Sequence, residues 1–180
     1  MSYGALSHAA VSSLSRGAKV AGIWMATGEG GLAPFHLEGG CDVIMQMGTA
    51  KYGVRNPDGN LAEERLREIA AHEQVRAFEV KLAQGAKPGK GGILPGIKVT
   101  PEIARIRGIP VGQDSISPNR HRDIGSVREL GRFVDRVRQV TGKPVGVKFV
   151  VVDPEFLDDM FRDCVAWPEG CPDYIQVDGG

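Results

Sequence analysis

Two lysines stand inside mainly apolar segments of the sequence. Lys81 lies in Phe78–Leu82, and Lys148 lies in Val145–Val152. Lysine is almost never fully buried without a partner, so each ammonium group must reach an exposed edge or face an anion or an electron-rich ring. We favour the second alternative for Lys148, because its segment is so apolar, and we treat Lys81 as a parallel case.

A glycine-rich segment follows, with the sequence QGAKPGKGGILPG from Gln84 to Gly96. Lys81, Lys87 and Lys90 lie within ten residues of one another, among many backbone amides. Amides and ammonium groups together can bind a carboxylate or a phosphate, although the residue order is not that of a P-loop. A surface loop with solvated lysines is the alternative, and composition alone favours it.

Glu29 lies between glycines in the segment TGEGG, which runs from Thr27 to Gly31. This pattern is typical of a turn residue, or of a carboxylate that acts in catalysis or recognises an amine. A second loop, Ser117–His121, carries arginine, asparagine and histidine. It supports no Ser–His–Asp order and no pair of histidines at metal-ligand spacing, so we predict no metal site.

Composition limits the class of protein. The chain has 180 residues, with 22 Lys plus Arg and 22 Asp plus Glu, so its formal net charge is zero. A balanced charge argues against nucleic acid as a partner, and no apolar run approaches the length of a membrane helix. Cys41, Cys164 and Cys171 lack CxxC spacing. We therefore expect reduced thiols in a cytoplasmic protein rather than a disulfide framework or a zinc centre.

Short apolar runs alternate with amphipathic stretches along the whole chain, which predicts an α/β fold with a parallel sheet. The predicted helices start after Ser7, Thr100 and Ser126 as caps, span Leu61–Ala77, and run from Pro154 to about Cys164. The predicted strands are Asp42–Met47 (or a turn of helix), Phe78–Leu82, Asp114–Ser117, Val145–Val152 and Tyr174–Val177.

The position of the polar residues favours a barrel over a doubly wound sheet. Residues of chemical interest follow the carboxyl ends of several predicted strands, which is the rim where (β/α)₈ barrels place their ligand sites. Five or six strand-like segments are present, not eight, and residues 1–4 resemble the end of a strand. We therefore expect one domain, residues 1–180, in the form of an incomplete (β/α)₈ TIM barrel.

Six segments of the chain resemble the FMN-binding synthase domain of glutamate synthase and its stand-alone relatives, in the same order. They are MSYGALS, TGEGG, KLAQGAKPGKGGILPG, KVTPEIARIRGI, DSISPNRHRDI and TGKPVGVK. The resemblance implies an FMN-binding (β/α)₈ barrel. In that family ammonia combines with 2-oxoglutarate, and the resulting 2-iminoglutarate is reduced to L-glutamate.

The resemblance also implies roles for individual residues. The implied flavin-binding residues are Met1, Ser2, Gly4, Gln46, Lys81 and Lys148, with Gly179 and Gly180 at the start of the phosphate-binding glycines. Lys87 and Arg107 match positions that hold the carboxylates of 2-oxoglutarate, and Lys87 and Glu29 are the implied catalytic residues. Glu29 matches a carboxylate near the point where ammonia enters.

The sequence departs from the family pattern in three places. Ile93 replaces a glutamine that helps to bind the oxo acid, and the iron–sulfur motif and most of the phosphate-binding glycines lie beyond Gly180. No nucleophilic cysteine starts the chain, so we expect ammonia or an amine from elsewhere, with an electron-donor or glutaminase subunit as a partner. An N-methylglutamate synthase-like subunit and a non-catalytic truncated remnant are the alternatives.

Overall fold

The computed structural model describes residues 1–86 and 90–179. Its main element is a curled parallel sheet of five strands that forms half of a barrel, in the order β1-β2-β3-β6-β7. The strands are β1 (Met25–Ala26), β2 (Val43–Met47), β3 (Val75–Lys81), β4 (Ile93–Leu94), β5 (Ser115–Ile116), β6 (Val145–Phe149) and β7 (Tyr174–Val177). The helices are α1 (His8–Ala21), α2 (Pro34–Leu37), α3 (Glu63–Ala70), α4 (Pro101–Arg107), α5 (Val127–Thr141) and α6 (Pro154–Ala166).

The outer face of the sheet carries the hydrophobic core. Phe78 and Val80 of β3 are completely buried there, together with Val147 of β6. Helix α5 covers this face with Leu130, Phe133, Val134 and Val137, which recur at helical spacing. Burial of apolar area on this side supplies the main driving force that holds the strands in position.

Side chains alternate between the two faces along each strand. The residues between the buried apolar ones therefore point to the inner face, and many of them are polar. Strand register places Gln46, Glu79, Gly146 and Tyr174 side by side in one layer. Two residues further along, Lys81, Lys148 and Gln176 form the next layer, at the carboxyl ends of the strands. The sheet therefore presents two polar layers to the inside of the half-barrel.

Three predicted helix caps are confirmed. The hydroxyl of Ser7 accepts a hydrogen bond from Ala10 N, Thr100 accepts from Ile103 N, and Ser126 accepts from Glu129 N. Each cap satisfies an amide that has no partner inside its own helix. The strand interpretation of the Asp42–Met47 segment is confirmed as β2, and Tyr174–Val177 is confirmed as β7.

Two boundary predictions and one pairing prediction were wrong. Helix α3 ends at Ala70 rather than Ala77, because Val75 is completely buried in the sheet as the start of β3, paired with Val43 of β2. Strand β6 ends at Phe149, not Val152. Strand β5 does not join the parallel sheet but pairs antiparallel with β4, since the glycine-rich segment folds back onto it.

The first residues also differ from the prediction. Residues 1–4 form no strand of the sheet, and Tyr3 makes only an isolated bridge with Leu6. The Met1 nitrogen nevertheless donates to Ala26 O at 2.5 Å, so this stretch lies across the end of β1.

An ion pair between a buried lysine and a partly exposed aspartate connects the loop after β2 to the loop after β5. Lys51 is 2% exposed, and its Nζ lies 2.8 Å from Asp123 Oδ1. Lys51 also has a left-handed backbone, with φ of 53°, which is unusual for a residue with a side chain. Burial acts to raise the pKa of Asp123, but the hydrogen bond and charge of Lys51 outweigh it, so the pKa lies below its ordinary value.

Replacement of Asp123 by asparagine should destabilise the protein, because the buried ammonium group of Lys51 loses its counter-charge. We expect the free energy of unfolding at neutral pH to fall by about 2 kcal/mol, since Asp123 itself is partly solvated. A depressed carboxyl pKa stabilises the folded state above the unfolded-state value of 3.8, and that stability is lost as the pH falls through the folded value. The difference between D123N and the parent should therefore shrink in acid.

Urea unfolding at several pH values measures this difference. Asp158, which is exposed on α6, provides the matched control D158N, and we expect it to leave stability unchanged. A D123N protein as stable as the parent at neutral pH would show that the ion pair contributes nothing.

Candidate functional site

Two adjacent cations lie at the carboxyl ends of the central strands. Lys81 of β3 and Lys148 of β6 are register partners on the inner face. The Nζ atom of Lys81 lies 3.2 Å from Glu29 Oε2 and donates to Gln84 Oε1 at 2.8 Å. The Nζ atom of Lys148 lies 2.9 Å from Asp178 Oδ1. Each mostly buried ammonium group thus has its own carboxylate partner, as burial requires.

Asp178 connects the end of β7 to the glycine-rich loop. Its Oδ1 pairs with Lys148, and its Oδ2 accepts a hydrogen bond from Gly85 N at 2.8 Å. The hydrogen bond from Lys148, followed by that from Gly85, lowers the pKa of this carboxyl. The start of the loop is therefore fixed relative to the two lysines.

Glu29 lies between two glycines that have no room for a side chain. A Cβ atom added at Gly48 would lie 2.8 Å from Glu29 Oε2, and one added at Gly92 would clash with Glu29 Oε1. A cavity of about 20 Å³ remains beside Glu29, Lys81 and Gln84 and is also lined by Gly91 and Gly92. A space of this size holds about one water molecule, so the segment 90–92 excludes most solvent from the carboxylate.

Glu79 lies in the layer beneath the lysines and is completely buried. Its Oε1 accepts a hydrogen bond from Gln46 Nε2 at 2.5 Å, while its Oε2 has no partner among the described residues. Burial raises the pKa of this carboxyl, against the opposing effects of Gln46, Lys148 and Lys81. Glu79 is thus a carboxyl group with one oxygen in use and one oxygen without a hydrogen bond.

The segment Met1–Gly4 lies against the loop that carries Glu29. A Cβ atom at Gly28 would lie 2.8 Å from Ser2 N, and one at Gly30 would clash with Ser2 Oγ. The Nε2 atom of His36 is 2.8 Å from Met1 O, and burial lowers the pKa of His36, which favours the neutral ring as donor. Close approach of backbone to backbone therefore explains the glycines of TGEGG.

Arg107 lies behind this loop and is 5% exposed. Its Nη1 donates to Ser115 Oγ at 2.9 Å, its Nη2 donates to Tyr3 O at 3.2 Å, and it stacks on Tyr52 at 5.1 Å. Burial lowers its pKa. Among the described residues, no ion pair joins Arg107 to a carboxylate, so its guanidinium group holds the first residues, α4 and β5 together.

The structure brings most of the predicted site residues to one rim. Glu29, Lys81 and Lys148 meet there, with Gln46 in the layer below and Met1–Gly4 beside them. Gly179 is exposed and follows Asp178. The predictions for Lys87 and Gly180 lie outside the described residues.

The chain matches a known protein family along its whole length. A family model described as a conserved region in glutamate synthase matches residues 1–180. The chain belongs to the glutamate synthase family. It is 43% identical over 180 residues to the glutamate synthase large subunit-like protein YerD of Bacillus subtilis, and this match covers 99% of the chain and 34% of the relative.

Two further relatives carry more specific names. The chain is 40% identical over 181 residues to an archaeal-type glutamate synthase [NADPH] of Thermotoga sp. (strain RQ2), a match that covers 99% of the chain and 32% of that protein. It is 42% identical over 154 residues to an archaeal glutamate synthase [NADPH] of Methanocaldococcus jannaschii, covering 84% of the chain and 28% of that protein. The chain spans about a third of the length of these curated relatives.

The described residues of this chain fit a flavin. A flavin ring is flat and carries hydrogen-bond acceptors and donors along its polar edge, and a cation near that edge stabilises the reduced form. The inner face offers two ammonium groups and a buried carboxyl oxygen without a partner, next to backbone made accessible by glycines. Within residues 1–86 and 90–179, no group of three or more His, Cys, Asp or Glu side chains lies close enough together to hold a metal ion.

Sequence reasoning missed two residues of this site, Glu79 and Asp178. Glu79 stands two residues before Lys81, so strict alternation along β3 places both on the inner face. That signal was available in the sequence. The pairing of Asp178 with Lys148 was not, because it depends on the register between β6 and β7.

Within the described ranges no helix has the length and apolar character needed to cross a membrane.

Gly146 makes room for Tyr174 in the lower layer of the site. A Cβ atom at this position would clash with the Tyr174 ring, whose hydroxyl donates to Phe78 O at 3.2 Å. We expect Gly146→Ala to lower the free energy of unfolding by about 2 kcal/mol, because the ring must move. Gly17→Ala is the matched control: Gly17 lies inside α1 with open space around it, so alanine should stabilise by about 1 kcal/mol.

Chemical unfolding of both variants compares the two sites. Equal effects of the two glycine replacements would contradict the close packing of Tyr174 against β6.

Proposed function

We propose that this protein is an FMN-dependent oxidoreductase of the glutamate synthase type, which reduces 2-iminoglutarate, formed from 2-oxoglutarate and ammonia, to L-glutamate. The observation that carries the proposal is the pair of adjacent lysines, Lys81 and Lys148, on the inner face of the sheet. Family membership over residues 1–180 supports it, and so does the name glutamate synthase [NADPH] of two relatives.

The lysines would hold the flavin and its charge. FMN, when bound and reduced, would supply the hydride for reduction of the imine. Lys81 and Lys148 place two positive charges at the rim, where they favour an anionic ligand or a ring that gains electrons. Glu29 and Asp178 fix the positions of those two ammonium groups, so little reorganisation is needed when a ligand binds.

The substrate would bind above this layer. We assign Lys87 and Arg107 to the carboxylates of the oxo acid, following the resemblance. For Arg107 this requires the carboxylate to displace a present contact, since Nη1 donates to Ser115 Oγ and Nη2 donates to Tyr3 O and Ser2 Oγ. Glu29 would receive ammonia or an ammonium ion, because its carboxylate lies beside the small cavity lined by Gly91 and Gly92. Electrons would come from NADPH, directly or through a partner subunit, and a glutaminase subunit could supply ammonia.

Replacement of Lys148 by methionine tests the proposal. In the full protein, loss of this charge should raise the FMN dissociation constant about tenfold or more, since a charge-assisted hydrogen bond is lost. It should also make the bound flavin harder to reduce. Flavin fluorescence titration and a redox titration measure the two effects.

Lys98 is exposed beyond β4 and gives the control K98M, for which we expect parent affinity. A folded full protein that retains no flavin absorbance after free FMN has been removed would refute the proposal.

A second candidate reaction is amine transfer of the N-methylglutamate synthase type. Ile93 favours it, because an exposed isoleucine on β4 stands where the family places a glutamine that binds the oxo acid. An isoleucine offers no hydrogen bond to the substrate, which weakens the case for 2-oxoglutarate.

Ile93→Gln distinguishes the two candidates. If the missing amide is what disfavours 2-oxoglutarate, the variant should gain about tenfold in kcat/KM with ammonia and 2-oxoglutarate, the value of about one hydrogen bond. Ile116→Gln, at the register partner on β5, serves as the control and should leave kcat/KM unchanged. Parent turnover with ammonia already equal to that with methylamine or glutamate donors would remove the reason for the second candidate.

A further inference from the structure

The buried carboxyl group of Glu79 has no role in the reaction as described so far. It is completely buried on the inner face, in the layer directly beneath Lys81 and Lys148. Only Gln46 hydrogen-bonds to it among the described residues, through Oε1. A buried carboxyl oxygen without a partner is costly, and its position on the ligand side of the sheet points to a function.

The charge state of Glu79 follows from how the neighbouring cations are used. Lys81 is paired with Glu29, and Lys148 is paired with Asp178. Within residues 1–86 and 90–179 no ammonium or guanidinium group forms an ion pair with Glu79. Burial raises the pKa of Glu79 against the opposing effects of Gln46, Lys148 and Lys81, so the neutral form of this carboxyl group is favoured.

The hydrogen bond from Gln46 then decides where that proton lies. Because Gln46 Nε2 donates to Oε1, Oε1 acts as the acceptor and Oε2 carries the hydrogen. Oε2 is the atom without a partner. The Gln46–Glu79 pair thus fixes a neutral O–H donor on the inner face.

We propose that Glu79 is a positioning residue which, as a neutral acid, donates a hydrogen bond from Oε2 to an acceptor atom of the bound flavin ring. The inference rests on the proposed flavin function and adds a residue to it. The donor is neutral, unlike the two lysines above it, so its hydrogen bond would orient the flavin ring without adding charge to the site. Gln46 acts through Glu79 by holding Oε1.

Two replacements of Glu79 separate this role from its alternatives. Glutamine keeps the shape of the side chain, a carbonyl oxygen for Gln46 and an N–H donor in place of the O–H. We expect E79Q to bind FMN within about threefold of the parent, and E79A to bind about tenfold more weakly, since one hydrogen bond is lost. Flavin fluorescence titration of the full protein measures both, with E68Q on the exposed face of α3 as control.

Infrared spectroscopy gives a readout independent of affinity. The parent should show the carbonyl stretch of a protonated carboxyl group that shifts when FMN is added, and E79Q should lack it. The titratable groups that act on Glu79 are Lys81 on its own strand and, from other elements, Lys148, Asp178, Tyr174 and the Met1 amino group. If burial outweighs the charges of the two lysines and of Met1, the protonated band persists at neutral pH.

Each other outcome overturns the inference. Equal weakening by E79Q and E79A means that Glu79 is an ionised acceptor. Parent affinity in both variants, with lower thermal stability, means that Glu79 only packs the interior. A folded parent protein that takes up no FMN refutes the proposed function and this inference together, whereas FMN binding unaffected by E79A refutes this inference alone.

Discussion

The need to pair buried charge organises the whole site. A parallel sheet covered by helices has one apolar face, so any charged side chain on its strands must point to the other face and find a partner there. Lys81 and Lys148 meet this requirement through Glu29 and Asp178, which come from the ends of β1 and β7. The two ion pairs therefore connect the outer strands of the sheet to its centre, and the glycine-rich loop is attached through Gly85.

The same requirement explains where the glycines lie. Glu29 reaches Lys81 only because Gly48 and Gly92 leave space on both sides of its carboxylate, and Ser2 approaches the loop only because Gly28 and Gly30 lack side chains. Glycine lowers the stability of the folded protein, because it loses more conformational entropy on folding than any other residue. Its concentration here reflects the density of backbone around one carboxylate, and not flexibility.

Much of the fold could be predicted from the sequence, and the site only in outline. Local signals were sufficient for the helix caps at Ser7, Thr100 and Ser126, since each depends on one side chain and an amide three residues away. Local signals could not predict the pairing of Ser115–Ile116. Its antiparallel partner, Ile93–Leu94, is separated from it in the sequence by helix α4. The lysines were recognised by type, but Asp178 and Gln84 as their partners depend on strand register and loop closure, which no periodicity encodes.

Two glutamates of this site, Glu29 and Glu79, have different surroundings and therefore suit different roles. Glu29 lies in the upper layer, in an ion pair with Lys81 and beside a small cavity, so its charge is stabilised where a charged or basic substrate would arrive. Glu79 lies one layer lower, with an amide as its only described partner, so the neutral form is favoured. In the proposed arrangement the lysine layer binds the polar edge of the flavin, with the substrate above it, and Glu79 adds a neutral hydrogen-bond donor from the layer below. Strand alternation places Glu79 on the same face as Lys81 and one layer lower, because a single outward-facing valine, Val80, separates the two residues.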